Sequence, residues 1–364
     1  MSPHPAWNPT EPYQSLPALP PEQEVETPAV LKELVSARAS LAAMEQAARR
    51  LPNPEILLST LTVIEAQASS EIENVVTTTD DLFRHMESES GASPETKEAL
   101  RYRTGLFEGL SLVRRRGTIT RTTAETICTA LAGHSMSLRS GSGTIIASTK
   151  TRQPIYTPPT GRETLDQMMG EWENYVNTPR DHDPLVRMAL AHYQFEAIHP
   201  FEDGNGRTGR ILNILQLIND GLLTSPVLYL SRYIIANKDE YYALLRKVTS
   251  DDDFESWVRY MLTAVQQTAE STLQLIDTLQ TLEEELKEII TASVPSGGNL
   301  ALITSLMSRP YTRVTSLARD CSIARPTATN WLNALVDARA LTKMKSGRDV
   351  LYINERYLHI LSNA

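Results

Sequence analysis

From Ala29 to Thr291 apolar residues recur at three- and four-residue spacing, a period that calls for a helical body. VLKELVSARASLAAMEQAARRL reads as a first helix that stops at Pro52. A second is predicted from near Pro54, where proline is tolerated in a first turn, through ILLSTLTVIEAQ, and a third from SSEIENVV. Further helices are expected at 96–115, 123–132, 165–177, 184–198, 208–221 and 238–248, and a long one from about Ser256 to Thr291. One stretch breaks the rule. SGSGTIIASTKTRQPIYTPP has Gly/Ser punctuation and two short β-like runs before Pro158-Pro159, and reads as a hairpin set into an all-α body.

The ends of the chain follow other rules. Residues 1–28 hold eight prolines and little periodicity, the pattern of an extended arm lying on the domain or loose in solvent. SVPSGGN at 293–299 punctuates the chain before a small module at 296–364. Helices near 300–308, 314–320 and 327–337 precede TKMKSGRDVLYIN, a hairpin with Ser346-Gly347 at its tip. That is the order of a winged helix-turn-helix domain. In the segment 266–295, read as a linker helix, Leu275, Leu279, Leu282, Leu286 and Ile289 form a short heptad seam. The seam fits either one buried stripe or a homodimer contact.

Composition narrows the class. With 364 residues, 41% hydrophobic and 22% charged, the chain has ample core for two or three domains. Its two cysteines, Cys128 and Cys321, form no paired spacing, which excludes a disulfide framework and suits a reducing, cytoplasmic compartment. No apolar run is long enough for a membrane helix, and the Pro-rich start does not read as a secretory signal.

The chemistry concentrates in His199-Pro200-Phe201-Glu202-Asp203-Gly204-Asn205-Gly206-Arg207-Thr208-Gly209-Arg210. A helix delivers His199, and a glycine-rich turn follows that lets a ligand approach the backbone. The next helix aims free N–H groups and its positive end into that turn, which makes an anion cradle. Arg207 and Arg210 add guanidiniums suited to a polyphosphate. Asp203 is available to a hard cation such as Mg²⁺, and His199 to take a proton from a hydroxyl. The sum is transfer of a phosphorus group without a P-loop.

These twelve residues resemble the signature of the Fic family, HPFx[D/E]GNGRxxR, at every fixed position. The resemblance implies transfer of AMP from ATP to a Ser, Thr or Tyr hydroxyl of a protein, with a catalytic domain over 111–265 and an N-terminal helical region over 29–110. It implies His199 as general base, Asp203 as Mg²⁺ ligand, and Asn205 with the amides of Gly204, Gly206, Thr208 and Gly209 around the α-phosphate. Arg207 would hold the phosphates and Arg210 the γ-phosphate. The hairpin at about 142–156 looks like the family's flap, which registers the target protein by strand addition. PVLYLSRYIIANKDEYYALL resembles the wall of the adenine pocket, with Tyr241 expected to stack, Tyr242 as the other choice, and Asn237 and Leu245 nearby. Relatives with this motif also use other nucleotide donors or remove AMP.

Ser69-Ser70-Glu71-Ile72-Glu73-Asn74 has two readings. One is a capping box, with Ser70 as N-cap and Glu73 at N3. The other is the family's inhibitory motif, [S/T]xxxE[G/N], carried by Ser69, Glu73 and Asn74, in which Glu73 pairs with Arg210 and keeps ATP from seating its γ-phosphate. The winged helix offers a competing function. Residues 296–364 carry nine Lys/Arg and four Asp/Glu, a net of +5 against −9 for the whole chain. Arg325, Thr327, Thr329 and Asn330 would open a recognition helix, and Lys343, Lys345 and Arg348 a basic wing. The module reads as a DNA-binding or a protein-docking element.

Overall fold

The computed structural model describes residues 7–51, 54–87, 89–141, 144–147, 152–178, 182–294, 300–346 and 349–363. The start of the arm (1–6), the expected helix stop at Pro52, parts of the hairpin (142–143 and 148–151), the punctuation at 295–299, and Gly347 with Arg348 at the wing tip lie outside them. The N-terminal region holds α1 (Pro28–Arg50), α2 (Pro54–Ile72), α3 (Thr79–His85) and α4 (Pro94–Arg116). There follow α5 (Arg121–Ala132), the hairpin β1 (Ile146–Ala147) and β2 (Pro154–Tyr156), α6 (Arg162–Asn177), α7 (Pro184–Ile198) and α8 (Asn205–Asn219). Next come α9 (Ser231–Ala236), α10 (Lys238–Asp251) and the 40-residue α11 (Phe254–Ser293).

The local code for these helices is conventional. Thr27, Ser93, Thr120, Asp183 and Asp253 each accept a backbone N–H of the following first turn, and Pro28, Pro94 and Pro184 stand at the starts of their helices. Gly117 and Gly133 close α4 and α5 in the left-handed conformation. Helices α7 and α8 are buried on nearly all sides and form the centre, with α4, α5 and α6 packed around them. At the crowded contact of α4, α5 and α8, Gly109 lies directly against Ile127 and Leu215.

One expectation is corrected here. No helix starts at Ser69 or Ser70, because α2 runs unbroken to Ile72, so the capping box is absent. The reason is visible in the partners. The Ser69 hydroxyl accepts from Arg210 rather than from a backbone N–H, and the chain turns out of the helix five residues later at a left-handed Asn74 (φ 65°). The N–H of Val75 donates to Ser70 O and that of Asn74 to Glu71 O, both at 3.0 Å, which is a Schellman C-cap. In the heptad seam Leu275, Leu279, Leu282 and Leu286 are each at most 5% exposed within the single chain and Ile289 is half-buried, which fits the reading as one buried stripe.

The C-terminal module contains α12 (Leu300–Met307), β3 (Tyr311–Thr312), α13 (Val314–Asp320), α14 (Arg325–Asp337), β4 (Thr342–Ser346), β5 (Asp349–Ile353) and α15 (Glu355–Asn363). Its antiparallel sheet has the order β3-β5-β4, so the expected hairpin gains a third strand, and α15 adds a closing helix the sequence reading lacked. Trp331, Leu332 and Leu335 are core, while Arg325, Asn330, Lys343 and Lys345 are exposed. Some of the module's basic charge is spent inside the molecule. Arg309 and Arg313 reach Glu87, at 3.2 and 3.1 Å, and Arg319 lies 3.7 Å from the same carboxylate, beside α3. Tyr311 bonds Asp80, and Ser59 of α2 donates to Ser308 O at 2.9 Å. The module is thereby tied to the two helices on either side of Glu73 in the chain.

The left-handed Asn74 sets where α2 ends and hence where Glu73 points. Asn74→Val places a β-branched residue at that φ and is expected to cost about 1–2 kcal/mol in urea unfolding, whereas Asn74→Gly is expected to be close to neutral.

Candidate active site

His199 leaves α7 in a left-handed conformation (φ 50°, ψ 60°), and its N–H closes the helix on Phe195 O at 3.0 Å. Pro200 prevents continuation. The exposed carbonyls at this end are gathered by Arg139, which is 2% exposed. Its Nε donates to His199 O at 2.8 Å, Nη2 to Ile198 O at 3.2 Å and also to Pro159 O, and its N–H to Pro200 O at 2.9 Å. A cation on the last carbonyls of a helix complements its dipole, and here it also fixes the histidine against the strand that leaves the flap.

The loop that follows is braced from within. Asn205 Oδ1 accepts from Phe201 N and its Nδ2 donates to Phe201 O, both at 2.8 Å. Cys128 Sγ donates to Asp203 O at 3.3 Å. Gly204, at φ 79°, caps α8 without a side-chain acceptor, so the first-turn N–H groups have no cap from their own helix. Into this space comes Glu73. A Cβ on Gly206 would overlap Oε1 of Glu73, and Arg210 Nη2 donates to the same oxygen at 2.9 Å. Arg210, 1% exposed, also donates from Nε to Ser69 Oγ and from Nη2 to Ser69 O, both at 2.8 Å. The carboxylate of the expected inhibitory motif thus lies in the anion cradle, on the arginine expected to take a phosphate.

These groups face a cavity of about 790 Å³, within the range of small-molecule sites. Glu73, Gly206, Arg210, His199 and Lys238 make one end. Tyr242, Leu245, Arg246 and Thr249 continue along α10, with β1 and β2 across from the loop. Tyr241, expected to stack on a base, is only 1% exposed: its hydroxyl is tied to His192 Nε2 at 2.8 Å and its ring packs on Trp257. The accessible ring at this wall belongs to Tyr242. Asn237 turns its amide to Tyr233 O instead of the cavity.

The structure separates the remaining members of the motif. Arg207 turns away from the cavity to Glu98 of α4 at 2.6 Å, although it stands three residues from Arg210. Thr208 is fully buried, and a Cβ on Gly209 would overlap Glu196, so Gly209 serves the close approach of α7 and α8. Asp203 is exposed, with Oδ1 accepting from Gly204 N at 2.7 Å and Oδ2 3.7 Å from Arg207. No group of three or more metal-binding side chains occurs among the described residues. A single exposed carboxylate fits Mg²⁺ that draws its other ligands from substrate phosphates and water.

Sequence reasoning missed four polar residues that hold this arrangement: Arg139, Glu98, Glu196 and Glu65. Glu65 is one turn before Ser69 on the same face of α2, and accepts from Tyr102 Oη at 2.9 Å, from Ser231 N at 3.1 Å and from the Ser231 hydroxyl. The i, i+4, i+8 spacing of Glu65, Ser69 and Glu73 was available as a signal, but only to a reading that let α2 continue. Burial pushes Glu65 up to about 7 and Glu196 up to about 8, against the pull of Arg210.

His199 is lowered to about 4 by burial and by the Arg139 charge, so its imidazole is neutral at physiological pH and able to accept a proton. Its ordinary value is 6.5, so the unfolded chain binds this proton first as the pH falls. The stability it contributes is complete above about pH 6.5 and is lost as the pH drops toward 4. Imidazole resonances of His199 in the free protein are expected to stay those of the neutral ring from about pH 8 to about 5.5; a midpoint near 6.5 would contradict the burial.

Three family models match consecutive parts of the chain. The Fic/DOC family N-terminal model covers residues 31–111, the Fic/DOC family model 123–217, and the model of the C-terminal domain of SoFic-like protein adenylyltransferases 264–357. The protein adenylyltransferase fic-1 of Caenorhabditis briggsae is 36% identical over 118 residues, which are 32% of this chain and 22% of that protein. The protein adenylyltransferase Fic of Drosophila grimshawi is 32% identical over 112 residues, 30% of this chain and 22% of that protein. The chain thus spans about a fifth of the length of these curated relatives. A Fic family protein from Desulfovibrio desulfuricans G20 shares the fold over 90% of this chain and 96% of its own, with a TM-score of 0.58 at 20% identity. Fic-1 from C. elegans does so over 68% and 73%, with a TM-score of 0.50 at 21% identity. With its signature loop intact between the two central helices, the chain belongs to the Fic/DOC family.

Proposed function

We propose that the protein is an adenylyltransferase that moves AMP from ATP to a hydroxyl side chain of a target protein and of itself, and that Glu73 holds it in a restrained state. The observation that carries this reading is the Glu73 carboxylate on Arg210 and Gly206, beside a neutral His199 in one cavity. An acidic side chain in the cradle marks the seat of an anionic substrate group, and the relatives named above are protein adenylyltransferases.

In this reading the hydroxyl oxygen of the target bonds to the α-phosphorus while its proton passes to the His199 imidazole. The bond from that phosphorus to the α,β-bridging oxygen breaks, and pyrophosphate leaves with the electron pair. The first-turn amides of α8 and Arg210 stabilise the charge on the phosphates, which is the main demand of phosphoryl-type transfer. Mg²⁺ held through Asp203 would neutralise phosphate charge when bound. Arg139 keeps the imidazole aimed by fixing the backbone of His199. The flap pair β1 and β2, whose register sets Ile146 opposite Tyr156, offers an edge on which an extended target segment can lie beside His199. Tyr242 offers a ring face to the base. Glu73 competes for Arg210 with the terminal phosphate, so removing it frees the seat.

The test is mass spectrometry of the purified protein incubated with ATP and Mg²⁺. Glu73→Gly is expected to increase the AMP adduct several-fold, and His199→Ala, which removes a general base worth about 10²–10⁴ in rate, to reduce it to background. A phosphate or UMP adduct would overturn the donor assignment. No increase in Glu73→Gly would overturn the restraint.

A further inference from the structure

The Pro-rich arm is built into the cavity wall. Tyr13 N donates to Thr157 O at 3.0 Å, Thr157 Oγ1 donates to Pro9 O at 2.7 Å, and Gln14 Nε2 reaches Thr160 O at 3.1 Å, so the arm is strapped along the strand that leaves β2. Farther on, Gln194 Nε2 holds Pro17 O at 3.1 Å and Gln23 Nε2 bonds Asp252 O, just past α10. The buried Tyr13 and Val25 anchor this course in the core. It carries Trp7 and Pro9 to the cavity, where both are lining residues.

The end of the cavity that the arm closes can be read from α10. Lys238, at its start, donates to Ile72 O beside Glu73, at the charged end. Thr249 lines the cavity 11 residues later, a rise of about 16 Å along the helix axis. It bonds Tyr193 Oη at 3.1 Å, in the region where the arm is fastened to Asp252. This part of the arm therefore lies toward the end of α10 opposite the phosphate seat. Of the indoles in the catalytic body, Trp172 and Trp257 donate to Ala191 O and Ala189 O, whereas Trp7 Nε1 is buried with no acceptor. Nε1 is shut off from the cavity, so Trp7 lines it through its other atoms.

We propose that Trp7 is a substrate-binding residue: the arm closes the end of the cavity away from Glu73 and Lys238, and the indole packs on the nucleoside half of the nucleotide. This rests on the nucleotide reading of the site given above. An aromatic residue carried on a separate strap makes affinity for the nucleoside depend on a segment outside the signature loop. Base–aromatic contact tolerates any base, so the contact favours a nucleotide over a bare polyphosphate.

Calorimetric titration of the full chain in the Glu73→Gly background tests it, with ATP and, separately, inorganic tripolyphosphate as the two probes. Trp7→Ala is expected to weaken ATP by about 5- to 100-fold, the usual worth of a base–aromatic contact, and to leave tripolyphosphate unchanged. Trp7→Phe, which keeps a ring, is expected to retain most of the ATP affinity and to remove most of the tryptophan quenching that ATP causes. Unchanged ATP affinity in Trp7→Ala, or equal loss for ATP and tripolyphosphate, would overturn the role of Trp7 while leaving the nucleotide reading in place. Failure of the Trp7-containing protein to bind ATP at all would overturn both.

Discussion

A guanidinium with 1% of its surface exposed needs partners for its charge, and Arg210 finds them at the C-terminal end of α2 and just beyond it. Ser69 supplies a hydroxyl and a carbonyl, and Glu73 a carboxylate. Breaking a buried ion pair by removing one partner generally costs about 3–5 kcal/mol, because the remaining charge is stranded. Glu73 is one-third exposed on the cavity side, so an anionic ligand can replace it where water alone replaces it poorly. The same contact therefore locks α2 onto α8 and leaves the lock open to exchange for a phosphate.

The surroundings of that contact explain why it can be exact in position. Glu65, one turn before Ser69, ties α2 to Tyr102 of α4 and to Ser231 at the start of α9. The Schellman turn at Asn74 stops α2 immediately after Glu73 has been presented. Beyond it, Asp80 and Glu87 are held by Tyr311, Arg309 and Arg313 of the C-terminal module. The module's basic side chains are in part the other half of an internal interface, which a net charge computed from sequence cannot reveal.

Much of the site was legible in the sequence because its chemistry is local. Twelve consecutive residues contain the histidine, the glycine turn and the helix start, and each has a backbone reason for its place. The sequence reading was misled or left undecided where a local rule had a competitor. Ser70-x-x-Glu73 satisfies the capping-box pattern, yet the serine beside it is claimed by an arginine about 140 residues away, and the helix passes through. Tyr241 and Tyr242 are adjacent in sequence and chemically identical. Both line the cavity, and only the packing of Trp257 and the bond to His192 decide that the first is 1% exposed while the second leaves more of its surface open.

The sequence by itself determined the helical body, the hairpin, the C-terminal module and the anion-binding loop, since periodicity, turn residues and helix ends are properties of short segments. Tertiary structure decided which neighbours each side chain meets. It sent Arg207 to Glu98 and Arg210 to Glu73, although both are in the same two turns of α8. It buried the leucine seam of α11 inside the chain, and it brought Trp7 beside α10, more than two hundred residues away. Those outcomes depend on which surfaces must be covered and which charges must be paired. Such demands exist only once distant segments have come together.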